Sequence, residues 1–211
     1  VAVPSESFFA SVLLRDRCRG VAWEIDNTHY YSLLVLFYLG EMKQLEEALP
    51  GLLKEAEDRG DLFCVTNMRT RLSYLIALAK DEPEAARQEL REAIAIWPGD
   101  NFLVQHWYEM MGQVECRLYE GDGPAASRLT RERWPLLKRS FLLRVQSVLI
   151  FSLSFRARAT MAAASTGGAD LDGLASAESD ARRIERERMP WGNAIAAILR
   201  AGIASAREDK M

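Results

Sequence analysis

Histidine occurs only twice in these 211 residues, as His29 and His106, and cysteine only three times, as Cys18, Cys64 and Cys116. Neither histidine belongs to an HExxH pair. The cysteines are an odd, widely spaced set with no CxxC, so neither a zinc centre nor a disulfide framework is expected. Cys64 and Cys116 stand among apolar neighbours and are expected to be buried as small hydrophobes. No GxxxxGK[ST] loop is present, and no GxGxxG after a strand, which removes the usual phosphate cradles. The expectation is no metal and no cofactor. Charge of one sign is lacking too: 27 basic and 30 acidic side chains leave a net charge of −3, which argues against a general binder of polyanions or of an anionic membrane surface. The charge-free runs 27–40 and 145–155 are both shorter than the ~18–20 residues of a membrane-crossing helix. The chain opens on Val1 with no leader-like segment, which predicts a piece of a longer protein working in a reducing cytoplasm.

What the chain does have is the balance of a globular domain, 49% hydrophobic and 27% charged, arranged for helices. Apolar residues recur at three and four between glycine and acidic turn signals. This spacing predicts helices over 5–18, 27–39, 42–59 and 61–80, one restarting at Pro83, one over 101–120, one after Gly123-Pro124, then 139–164, 170–188 and 189–206. Asp81-Glu82-Pro83 and Asp122-Gly123-Pro124 each set a capping acid before a first-turn proline, where the missing N–H costs nothing. Leu39-Gly40-Glu41, Ala79-Lys80-Asp81 and Glu120-Gly121-Asp122 align as equivalents, at steps of 40 and 41 residues. The same alignment places three sets on a buried face: Leu45, Ala85 and Ala126; Leu53, Ala93 and Trp134; Ala56, Ile96 and Leu137. Trp97, Trp134 and Trp191 stand beside prolines and are expected to seal junctions between repeats. A recurring two-helix unit of this size predicts an all-α fold, an α-solenoid of about five helix-turn-helix hairpins with a period of about 40 residues. The array is expected over 1–165, with 166–211 a capping helical hairpin of the same array.

The words Gly20-Val21-Ala22-Trp23-Glu24-Ile25-Asp26, Tyr38-Leu39-Gly40-Glu41, Leu118-Tyr119-Glu120-Gly121-Asp122 and Glu187-Arg188-Met189-Pro190-Trp191 resemble the tetratricopeptide-like C-terminal regions of large bacterial serine/threonine protein kinases and related signalling ATPases. The similarity covers most of the chain. Its motifs are helix-packing words, without the strict tetratricopeptide consensus. The resemblance implies tetratricopeptide-like hairpins that follow the catalytic modules of a parent protein and bind partners or regulate the attached kinase. This chain has no glycine-rich loop, no His-Arg-Asp and no Asp-Phe-Gly, so the resemblance makes it the non-catalytic end.

No enzymatic site is expected in the chain itself. A solenoid offers a concave wall lined by the first helix of each pair. The polar residues interrupting those apolar stripes are the candidate protein- or peptide-binding set: Asn67 and Arg71, then Gln105, His106 and Glu109, then Arg144 and Gln146. At the repeat offset Gln105 and Gln146 are equivalents, as are Thr66, His106 and Ser147, which predicts rows able to bond an extended peptide while an arginine clamps a carboxylate. Charge is uneven: segment 41–61 carries seven acids against three bases, and segment 128–158 eight bases against Glu132. Arg128, Arg131, Arg133, Lys138 and Arg139 form a candidate basic patch. It suits an acidic partner surface, a second copy of the chain or the attached catalytic domain. The alternatives are a nucleic-acid-binding repeat using the Arg128–Arg158 stripe, since clustered arginines supply the sequence-independent part of such affinity, or a stand-alone adaptor.

Overall fold

The computed structural model describes residues 18, 20–99, 101–166 and 171–208. Residues 5–17 of the first expected helix lie outside them. All regular structure among the described residues is helical, and the chain divides into two compact units, Val1–Pro98 and Gly99–Met211. Segment 166–211, expected as a capping hairpin of the same array, lies within the second unit.

The first unit contains α1 (Ala22–Tyr38), α2 (Met42–Asp58), α3 (Leu62–Met68), a π turn over Arg69–Ser73 that leads directly into α4 (Tyr74–Ala79), and α5 (Pro83–Ala95). Helices α1 and α2 end on the same device. Gly40 and Gly60 are left-handed, at φ 75° and 68°, and the next amide in each case bonds back to a carbonyl five residues earlier: Glu41 to Leu36 and Asp61 to Ala56, both at 2.9 Å. This is the Schellman closure, which satisfies the last carbonyls of a helix and suits a residue without Cβ. Asp61 then caps α3, its carboxylate accepting from the Cys64 amide at 2.9 Å. Asp81 closes α4 in the same way at φ 62°, with the Glu82 amide bonding to the Ala77 carbonyl at 3.0 Å. Aspartate tolerates this conformation better than most residues with a side chain. The π turn interrupts the single helix expected over 61–80 and shifts the facing of its side chains. Arg69 reaches α5, with two 2.8 Å bonds to Glu89, and Arg71 turns inward.

The second unit contains α6 (Val104–Tyr119), α7 (Gly123–Arg139), a 3-10 turn over Leu142–Arg144, α8 (Gln146–Thr166), α9 (Leu171–Arg186) and α10 (Pro190–Glu208). Gly121 closes α6 at φ 77°, with the Asp122 amide bonded to Arg117 at 2.9 Å. The structural equivalents are therefore Gly40, Asp81 and Gly121, at steps of 41 and 40, one residue away from the alignment through Lys80. The buried face moves with them: Leu45, Ala86 and Ala126 are fully buried, whereas Ala85 is exposed and Ile96 remains 45% exposed. The helix expected to begin near residue 139 begins instead at Gln146. Phe141, at φ 61°, turns the chain, and the Ser140 hydroxyl accepts from the Leu142 amide at 3.3 Å.

Helix α8 organises this unit. Its sequence is apolar on all sides, which suits an element surrounded by others, and it packs on α7 and α9 and also on α6 and α10. Ile150, Leu153 and Ala157 meet Met111 and Val114 of α6, Leu137 of α7, Ala181 and Ile184 of α9 and Leu199 and Ile203 of α10 in one core. The Trp107 indole N–H donates to the Ser152 hydroxyl inside that core at 2.9 Å. Trp191 stacks on Phe151 with centroids 5.2 Å apart, joining α10 to α8. At Gly123 an added Cβ would lie 2.3 Å from the Ala162 carbonyl carbon, so the start of α7 rests directly on the α8 backbone.

Candidate functional site

One polar site lies in the second unit, where α7, α8 and α9 meet. Arg156 and Arg158 are the charged residues of α8, and a charge on so apolar a helix needs a partner. Arg156 finds one in Asp180 of α9, bonded at 2.8 Å through Nε and 2.5 Å through Nη2, with the carboxylate itself buried. The Arg156 guanidinium lies 3.8 Å from the centroid of the Trp134 ring, which holds the arginine flat between acid and indole. Beside this stack is a cleft of about 270 Å³ lined by Ser127, Arg131, Trp134, Arg156, Thr160 and Ser176. Arg131 is exposed and has no ion pair among the described residues. The Trp134 indole N–H is buried without a hydrogen-bond partner. Since Asp180 neutralises Arg156, Arg131 leaves the cleft with one positive charge and several hydroxyls, groups that can bond an anionic side chain.

The expected basic patch is partly a common face. Arg128, Arg131 and Lys138 share one solvent-facing stripe of α7, and Arg139 is exposed beside it. Arg133 turns toward α6, where its charge acts on His106 and Glu109. Burial holds the Glu109 carboxyl above the usual carboxylate range against the pull of Arg133, Arg117 and Gln113. Burial, with the Arg133 charge second, holds His106 below its ordinary value, and its Nδ1 accepts from the Leu103 amide at 3.2 Å.

The candidate peptide-binding residues do not share one exposed row. Gln105 and Glu109 are buried, and Arg71 is buried with Nη2 3.4 Å from the Tyr38 hydroxyl. Asn67 is half-buried, and Thr66, expected to lie level with His106 and Ser147, is fully buried. Arg144 closes the 3-10 turn, 4.6 Å over the Phe141 ring. Gln146 is exposed and donates to the Glu187 carbonyl at 3.1 Å. The Arg156–Asp180–Trp134 cluster was not singled out from the sequence. The available signal was the pair of arginines inside an otherwise apolar helix.

A second polar cluster lies in the first unit. Asp26 of α1 is buried and meets Arg59 at 2.5 Å. Burial raises its carboxyl above the ordinary range, with the neighbouring Asp61 carboxyl next in effect and Arg59 opposing both. Burial also pushes the neighbouring Cys64 thiol up to about 12, helped by the charges of Asp26 and Asp61, so this thiol is a packing group and not a nucleophile. Among the described residues no three His, Cys, Asp or Glu side chains converge as metal ligands, and no helix is long and apolar enough to cross a membrane.

No protein-family model, curated protein or solved structure matches this chain. Its described residues define an all-helical fold of two units, within each of which helices adjacent along the chain pack on one another.

Proposed function

We propose that this chain is a non-catalytic, tetratricopeptide-like helical-repeat region that binds a protein or peptide and regulates a serine/threonine kinase or signalling ATPase preceding it in a longer protein. The observation that carries this reading is the recurrence of one closing device: left-handed residues at Gly40, Gly60, Asp81 and Gly121 each end a helix, with the next amide bonded back to a carbonyl five residues earlier. Stacked hairpins of this kind belong to solenoids, whose use is recognition. The contacts of α8 with α6 and α10 fit a two-layered stack within the second unit. In this reading the partner's anionic side chain enters the Arg131–Arg156 cleft, and a cytoplasmic setting suits three cysteines that form no disulfide.

The test expresses the upstream catalytic portion with and without this chain and follows ATP turnover. The expected result is a change of about fivefold or more, restored by adding the chain in trans and weakened by Arg128→Glu with Arg131→Glu. Equal turnover with and without the chain would overturn the regulatory role. A second reading, nucleic-acid binding, is favoured by the unpaired α7 stripe of Arg128, Arg131 and Lys138. It requires that affinity for a 20-nucleotide probe (about one to two sites of a typical groove) fall steeply with salt and be lost on reversing those three charges.

A further inference from the structure

Between α9 and α10 runs an open groove of about 930 Å³, separate from the cleft at α7 and independent of the role proposed for that cleft. Five arginines line it against two glutamates. Two of the arginines are committed to its floor. Arg200 bridges Glu178 at 3.2 Å and Glu185 at 2.8 Å, and Arg182 joins Glu178 at 3.1 Å. The Arg200 Nε–H is enclosed without an acceptor. Arg186, Arg188 and Arg207 have no ion pair among the described residues, so three guanidinium groups face one groove unneutralised. Arg188 also occupies a left-handed position, at φ 55°, where other turns of this chain use glycine. A glycine there would relax the backbone and remove a charge from the groove.

We infer that this groove binds a peptide segment bearing several anionic side chains, carboxylates or phosphorylated hydroxyls, clamped by Arg186, Arg188 and Arg207. Planar guanidinium groups bond both anions through paired N–H donors. The floor is already balanced, since Arg200 and Arg182 hold Glu178 and Glu185, so the groove offers the charge of three arginines, which a short segment with a few anionic side chains matches and a continuous phosphate backbone exceeds.

The test uses the whole chain and a fluorescein-labelled octapeptide of alternating glutamate and serine, in plain and phosphoserine forms, read by fluorescence anisotropy. Binding is expected for at least one form, the stronger form identifying carboxylate or phosphate as the anion. Affinity is expected to fall about tenfold or more in Arg186→Ala/Arg188→Gly/Arg207→Ala, the loss typical of removing charge-assisted pairs. Arg188→Gly alone separates binding from folding, because it lowers affinity while leaving the melting temperature equal or higher. Equal affinity in the triple variant overturns the inference. So does an absence of binding by both peptides, or their displacement by an oligonucleotide that binds the parent chain more tightly than either.

Discussion

At the scale of single residues, the buried acids make stability depend on pH in a defined direction. Asp26 holds its proton more tightly in the folded chain than in the unfolded one, because burial and the Asp61 carboxyl outweigh Arg59. The sign follows from linkage: this stability is fully present below the ordinary carboxylate pKa and is lost as pH rises through the raised value. Glu109 acts in the same direction in the second unit, so the contribution of Asp26 is read by comparison. The urea midpoint of Asp26→Asn is expected to change less than the parent's between about pH 4 and about pH 7. Parallel curves would exclude the effect. Removing the α9 acid is a separate matter. Asp180→Ala strands the Arg156 guanidinium beside Trp134 and is expected to cost roughly 1–3 kcal/mol in chemical denaturation, less than a fully enclosed pair because Arg156 keeps 30% of its side-chain exposure. Periodicity identified the faces on which Arg71, Gln105 and Glu109 lie but not how deeply they are covered. A polar residue interrupting an apolar stripe reads as groove lining until the helix packed over it is known.

At the scale of the helix, two glycines two residues apart are needed for different reasons. Gly121 has open space around it and a left-handed backbone; Gly123 has an ordinary backbone and no space. Gly121→Asn is therefore expected to cost about 1 kcal/mol or less, since asparagine visits the left-handed region. Gly123→Ala is expected to cost about 1–3 kcal/mol by forcing α7 off the α8 backbone. Urea titrations of the two variants check this, and the opposite order would show that the wrong constraint has been assigned to each glycine. The turn at Gly121 was legible in the sequence, as were those at Gly40 and Gly60, because glycine announces a left-handed turn. The turn before Pro83 was legible too, though not that Asp81 is its left-handed residue; the turn at Phe141 was not. Asp81 was aligned one residue out, which placed Ala85 rather than Ala86 on the buried face. Phe141 interrupts Arg139-Ser140-Phe141-Leu142-Leu143-Arg144, a stretch with no breaker, so the start of α8 was placed too early. The π turn at Arg69–Ser73 has no local signal either, since what distinguishes it is the pairing of Arg69 with a glutamate twenty residues on.

At the scale of the whole molecule, each unit carries its own reporter. Cys64 lies in the core of the first unit and Cys116 in the core of the second, while Cys18 is exposed. With a thiol-specific reagent, Cys18 is expected to react at once in the native protein. Cys64 and Cys116 should react only as urea opens the unit that holds each. Rapid modification of Cys116 without denaturant would contradict the packing described for α6. The packing of helices on those next to them in the chain has a consequence for synthesis. Each helix can dock as soon as its neighbour has left the ribosome, roughly 20–40 residues later, without waiting for a distant strand or terminus, and topologies of this kind fold in microseconds to milliseconds. At ribosomal speeds, the first unit can therefore fold before the last helices of the second have been translated, whereas α8, apolar on all sides, stays partly uncovered until α9 and α10 emerge.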